Sequence, residues 1–282
     1  RGWERRVPTL APQGGGEPEG GGAGLRFALE VRQGREKALE FAEVLKSFIS
    51  AAGGEVVDAA AGAPDMVLAV GGDGTMLAAV QVALRSNAPV LGFNLGTIGF
   101  LTEAEPDQAE SIVRRLIAGD YEVDERMTVS ATVGDATATG VNDVVVEKVD
   151  SQRLIDLEVT IDGQRFLTYR ADGLIISTPT GSTAYSFSAG GPLVDPDLDA
   201  LVLAPVAAHS LFDRPLVVPS GTQIEIRVGT DRPVKVSVDK ISLGHLVMGD
   251  RVLVGKGSSP ARFVTFGDRN FPVLVTQKFG LR

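Results

Sequence analysis

The chain has no cysteine among its 282 residues. Disulfides, thiolate catalysis and Cys-ligated zinc or iron–sulfur centres are therefore excluded. Imidazole is nearly absent too, with only His209 and His245. A histidine-rich metal cluster cannot be built from two such residues. A hard cation held by carboxylates, water and the phosphates of a ligand remains open. Positive charge is also scarce, 27 Lys and Arg standing against 36 Asp and Glu for a formal net charge of −9. A sequence-independent nucleic-acid binder needs a dense basic surface, which argues against a nucleic-acid partner. No apolar run approaches the ~20 residues that cross a bilayer, so no membrane partner is expected. The N-terminus lacks a secretory apolar stretch, and the cytoplasm is the expected location. An acidic protein that handles phosphates must attract them locally. Helix N-termini, a few arginines and a bound divalent cation are the available means.

Hydrophobic residues at 44% and charged residues at 22% describe an ordinary globular protein, and the length fits two domains. Residues 1–24, dominated by glycine and proline, read as a disordered leader with too little apolar surface to order. Residues 25–125 read as a Rossmann-like α/β domain. Leu25 to Val31 predicts a strand. Lys37 to Ala52 predicts a helix with Leu39, Ala42, Leu45 and Ile49 on one face, stopped by Gly53-Gly54. The continuous apolar run from Asp65 to Val70 predicts a buried parallel strand. Met76 to Leu84 is a helix, Ala88 to Gly92 a strand, and Asp107 can cap a further helix. From about Asp124 the apolar period changes to two, and short strands separated by turns predict a β-sandwich over residues 126–262. Asp162-Gly163 reads as a hairpin turn. For residues 263–282 one outcome is a return to the first domain as an extra strand.

The chemistry concentrates where the buried strand meets its helix, at Gly71-Gly72-Asp73-Gly74-Thr75. Glycines let the backbone approach a phosphate and take up positive φ. The helix N-terminus adds unpaired N–H groups and partial positive charge. Gly71, Gly72 and Thr75 are the expected phosphate-binding residues, Thr75 serving as cap or ligand. Asp73, at the carboxyl end of the strand, can accept a proton from a hydroxyl nucleophile or position magnesium. A tight turn with Asp73 as a structural cap is the plainer alternative.

Gly71 to Thr75 resembles the GGDGT motif shared by NAD kinases, diacylglycerol and sphingosine lipid kinases and, in shorter form, 6-phosphofructokinases. That resemblance implies phosphoryl transfer to a hydroxyl and leaves the acceptor open. Asn142-Asp143 is similar to a second NAD kinase motif, though an Asx turn entering a strand would look alike. The run from Thr178 to Pro192 (TPTGSTAYSFSAGGP) is similar to an NAD kinase stretch at nearly every position, and Asn94 to Leu101 also looks like that family.

The resemblance implies an NAD kinase fold of Rossmann-like domain plus β-sandwich. It implies NAD as acceptor, ATP or polyphosphate as donor, a divalent cation such as Mg2+, and a homodimer or homotetramer. Carried over, Asp73 is the catalytic base. Gly74, Phe100, Asn142, Asp143, Arg170, Asp172, Thr183, Ala184, Tyr185 and Ser188 line the substrate site, and no residue is assigned as a dedicated metal ligand. A charge at Arg170 is associated with preference for NAD over NADH, and a surface salt bridge is the alternative. The sequence departs from the family near Ser237-Val238-Asp239, where Lys240 stands in the place of a glycine.

Overall fold

The computed structural model describes residues 24–96, 99–150, 152–210, 212–267 and 270–281. The glycine-rich stretch before residue 24, together with Thr97 and Ile98, lies outside the described residues. The chain opens with β1 (Arg26–Val31), α1 (Glu36–Ala51), β2 (Glu55–Val56), β3 (Met66–Gly71) and α2 (Asp73–Ser86). Next come β4 (Val90–Asn94), α3 (Ala109–Ala118), β5 (Glu122–Arg126), β6 (Val129–Val133), β7 (Ala136–Gly140) and β8 (Asp143–Lys148). The middle holds β9 (Ile155–Ile161), β10 (Gln164–Ala171), β11 (Gly173–Ser177), the one-turn α4 (Tyr185–Ser188) and β12 (Ala200–Val206). The chain ends with β13 (Leu216–Pro219), β14 (Ile224–Val228), β15 (Val234–Val238), β16 (Ile241–Leu246), β17 (Arg251–Lys256), β18 (Ala261–Thr265) and α5 (Phe271–Phe279).

The first sheet has the order β2-β1-β3-β4-β18-β5 and is parallel except at the β18–β5 pair. Its central strand explains its own sequence. Met66, Leu68 and Val70 point to the α1 and α3 side, while Val67 and Ala69 meet α2 on the other. A strand covered on both faces has no polar side to alternate, so it reads as one apolar run.

Several boundaries differ from the sequence expectation. Leu39 is 48% exposed, and Ala38 takes the inward place beside Ala42, Leu45 and Ile49. The helix phase that buries the last three carries residue 39 outward. Asp107 does not cap a helix. Glu105 caps a 3-10 turn, Pro106–Gln108, in a capping box with Gln108, and that turn leads into α3. α2 begins at Asp73, not Met76, because Gly72 already serves as its N-cap. No individual strand is predicted from the sequence at β2, β5, β7, β12, β13, β16 or β17. β7 is a run of small residues without aliphatic alternation, and β5 is acidic and only partly buried.

The remaining strands form two antiparallel sheets, β10-β9-β14-β17-β6-β7 and β13-β12-β11-β8-β15-β16. Leu157, Tyr169, Val146, Ile176, Val236 and Val252 are among the side chains that fill the space between them. Val145, Ile175 and Ala204 face away from that core and are covered by Ala189. The chain after β11 therefore folds over the outer face of its own sheet. Two turns of the sandwich are alike. Asp162-Gly163 joins β9 to β10 with φ of 48° and 76°, and Asp239-Lys240 joins β15 to β16 with φ of 47° and 83°. Finally, α2 reaches the sandwich. Gln81 Nε2 donates to the Thr139 carbonyl at 2.9 Å, and Val141 is buried among α2 side chains.

Candidate active site

The glycine loop is shaped by close approach. A Cβ on Gly71 would strike the Thr75 side chain, which folds back over the end of β3 and is buried. Thr75 therefore occupies the third helical position as a packing residue and does not cap. Gly72 at the N-cap carries no side-chain acceptor. The Thr75 N–H donates to the Gly72 carbonyl at 2.9 Å, and among the described residues the Asp73 and Gly74 N–H groups are left as a ready place for an anion.

Asp73 is the first residue of α2, half-buried, and its carboxylate is held by the facing loop. The Phe100 N–H donates to Oδ2 at 3.0 Å and the Leu101 N–H to Oδ1 at 3.1 Å. Each oxygen keeps a free lone-pair direction for a substrate proton. Gly99 is required beside them, since a Cβ there would collide with the Asp73 carboxylate and stand 2.7 Å from the Thr102 hydroxyl. That hydroxyl is buried and has no hydrogen-bond partner.

A second carboxylate organises the other wall. Asp239 accepts the N–H groups of Val141 at 2.6 Å, Asn142 at 2.9 Å and Asp143 at 3.0 Å. It fixes the backbone of the Asn-Asp pair through three bonds. No local signal in the sequence marks this part for Asp239, because its three partners lie 96 to 98 residues away. Burial, then the charge of Asp239, pushes the Asp143 carboxyl up to about 7. Asp239 is itself raised, because burial outweighs the three amide bonds and the nearby Lys240.

Most hydroxyls of the Thr178 to Pro192 loop bond to backbone groups and so build the loop itself. Thr178 Oγ1 donates to the Val141 carbonyl at 2.5 Å and accepts the Gly181 N–H at 3.0 Å. Ser182 Oγ donates to the Val194 carbonyl and accepts its N–H at 2.9 Å. Ser177 Oγ donates to backbone carbonyls, as does Thr183 Oγ1 toward Thr180. A tight loop over a sheet face has carbonyls and amides that water cannot reach, and hydroxyls satisfy them.

What this loop does present is Tyr185, 40% exposed at the start of α4. Its hydroxyl is raised by burial first, and then by the carboxylates of Glu147, Asp172 and Asp143. Asp172 pairs with Lys148 at 2.5 Å. Ala184 makes the joint between a second 3-10 turn, Thr180–Thr183, and α4, and Ser188 closes α4 on an exposed side. Arg170 stands apart. It lies on the exposed face of the edge strand β10, and its side chain makes no ion pair among the described residues.

Phe100 meets α5, with its ring 6.1 Å from that of Phe279, which in turn lies 5.0 Å from Phe187. A cleft of about 260 Å³ lies here, lined by Phe100, Leu101, Thr180, Thr183, Phe271 and Leu274. Asp73 does not line it. The cleft is below the roughly 300–1,000 Å³ of ordinary ligand pockets. Among the described residues no group of three or more His, Asp or Glu forms a metal cage, and no helix is long and apolar enough to cross a membrane.

Comparison with known proteins decides among hydroxyl kinases. Residues 27–121 match the ATP-NAD kinase N-terminal domain and residues 141–266 the ATP-NAD kinase C-terminal domain. The chain belongs to the NAD kinase family. It is 46% identical to the NAD kinase of Moorella thermoacetica over 223 residues, which is 77% of this chain and 71% of the relative. It is 39% identical to the NAD kinase of Thermococcus sibiricus over 267 residues, covering 88% of this chain and 96% of that one. The crystal structure of yeast NADH kinase complexed with NADH superposes with a TM-score of 0.78 at 26% identity, covering 92% of this chain and 88% of that one. The structure of an NAD kinase from Archaeoglobus fulgidus in complex with ATP gives 0.76 at 26% identity, covering 92% of this chain and all of that one. As an NAD kinase family member the chain is a phosphotransferase, and its α/β domain and β-sandwich are the family's fold.

Proposed function

We propose that the protein transfers the terminal phosphoryl group of ATP to the 2′-hydroxyl of the adenosine ribose of NAD, giving NADP and ADP. Inorganic polyphosphate is the alternative donor. The observation that carries this reading is Asp73, its carboxylate clamped by two amides at the uncapped N-terminus of α2.

Asp73 accepts the 2′-hydroxyl proton as the new O–P bond forms, while the bond from the terminal phosphorus to the bridging oxygen breaks toward ADP. The α2 N–H groups after Gly71 and Gly72 face the phosphate oxygens. Asn142 and Asp143, held by Asp239, grip the adenosine ribose of the dinucleotide, and Tyr185 stacks on a ring with Asp172, Thr183, Ala184 and Ser188 around it. Gly74 and Phe100 bound the acceptor from the α2 side. A magnesium ion carried on the donor phosphates would offset their charge, and Asp73 is the loop carboxylate within its reach. Positioning by these groups supplies most of the rate. The Archaeoglobus structure with ATP and the yeast structure with NADH support this choice of ligands. A cytoplasmic homodimer or homotetramer extends the same reading.

The test is direct. Purified protein with NAD, ATP and magnesium is expected to yield NADP, detected by an NADP-specific dehydrogenase. No NADP with either ATP or polyphosphate, despite bound NAD, overturns the proposal.

A further inference from the structure

The sandwich uses one turn geometry twice, and the two copies differ in a telling way. Both Asp162-Gly163 and Asp239-Lys240 are two-residue hairpin turns with positive φ at both positions. Such a type I′ turn favours glycine at the second place, because a Cβ there is strained. The first turn has its glycine. The second holds a lysine at φ 83°, at a cost of order 1 kcal/mol.

That lysine is also badly placed for stability. Its Nζ lies 3.3 Å from the point where a Cβ on Gly74 would stand, beside the first turn of α2. A cation next to the positive end of a helix dipole is repelled. Asp239 is close enough to feel its charge, but the Asp239 carboxylate is already taken by the amides of Val141, Asn142 and Asp143. Among the described residues the lysine makes no hydrogen bond or ion pair of its own. Backbone strain and charge repulsion thus coincide at one exposed side chain that crosses from the sandwich to the glycine loop.

We infer that Lys240 is a substrate-binding residue that holds the terminal phosphates of the phosphoryl donor against the α2 N-terminus. Resting on the function proposed above, the inference names the charge that the loop itself lacks. The molecule carries a net charge of −9, and Gly71 to Thr75 contains no cation. A polyphosphate between the α2 amides and Nζ would neutralise both positive groups at once. Because Gly74 follows Asp73, the held phosphoryl group lies next to the base that activates the acceptor. The ammonium then offsets the charge on the equatorial oxygens during transfer.

The test compares Lys240→Gly and Lys240→Arg with the unaltered chain. Glycine suits the turn, so Lys240→Gly is expected to melt at the same or a higher temperature, which removes misfolding as an explanation. Isothermal titration with magnesium–ATP is expected to show about tenfold or more weakening in Lys240→Gly. NAD affinity stays within about twofold, and Lys240→Arg recovers most of the ATP affinity. Equal ATP affinity in Lys240→Gly and the unaltered chain overturns the inference, as does an equal loss for ATP and NAD. Binding is read without turnover. If the unaltered chain forms NADP while Lys240→Gly binds ATP normally, this inference fails and the kinase reading stands. If the unaltered chain binds magnesium–ATP through Lys240 yet forms no NADP, the reverse holds.

Discussion

Asp239 accepts the backbone N–H of Asp143 at 3.0 Å while its charge opposes ionisation of the Asp143 side chain. One carboxylate thus positions its neighbour's main chain and raises its neighbour's carboxyl. The position is secured by geometry, and the electrostatic consequence is measurable as a dependence on pH.

The Asp143 carboxyl sits at about 7 in the folded protein against an ordinary 3.8 when unfolded. Between these values the folded state binds the extra proton, so stability falls as pH rises. The contribution is complete below about pH 4 and is lost as pH passes 7, amounting to roughly 2–4 kcal/mol. Asp143→Asn is expected to flatten that part of the profile. Its melting temperature gains on the unaltered protein at pH 8 and not at pH 5. A difference independent of pH would show that Asp143 does not titrate in this range.

Asp73→Asn keeps one acceptor oxygen for the facing amides but cannot take a proton. A loss of roughly 10²–10⁴ in kcat is expected, with the KM for NAD within a few-fold. Steady-state kinetics decide the matter, and near-normal turnover removes Asp73 from the role of base.

Gly99→Ala forces a methyl group against the Asp73 carboxylate and toward the Thr102 hydroxyl. The strain is worth about 1–3 kcal/mol of stability. Because the loop amides that orient Asp73 must shift, kcat is expected to drop about tenfold or more, since small misplacements are costly in catalysis. Unchanged kcat would mean that the Phe100 and Leu101 clamp is dispensable.

Ser182→Ala separates scaffold from ligand binding. Its hydroxyl serves both the N–H and the carbonyl of Val194 in a fully buried place. Removing it leaves those groups unpaired, at about 2–4 kcal/mol. The melting temperature should fall by roughly 4–12 °C. At a permissive temperature the KM for NAD should hold. A raised KM with normal melting would return this hydroxyl to the ligand.

How much of this was written locally is visible residue by residue. The run from Met66 to Gly71 announces a strand covered on both sides, and Gly71 to Thr75 announces the phosphate loop, since strand, glycine and helix start are adjacent in sequence. Asp162-Gly163 likewise carries its turn in two residues. The loop from Thr178 to Pro192 resembles the family's stretch at nearly every position, but that does not reveal which hydroxyls are free. Val141 and Val194 take them, and those partners are 37 and 12 residues away.

The sequence by itself determined the α/β and β-sandwich pattern and the position of Asp73, because these depend on periodicity and on neighbours along the chain, while the resemblance of its motifs to known ones pointed to the hydroxyl kinases. Tertiary structure alone decided that Phe100 and Leu101 clamp Asp73, that Asp239 holds the backbone of Asn142 and Asp143, and that Lys240 reaches Gly74. These contacts join residues 27 to 166 positions apart. Hydrogen bonds and charges act through space, over a few ångströms, and it takes the loop after β4 folding onto α2, the pairing of β8 with β15, and the packing of α2 against the sandwich to bring these groups within range.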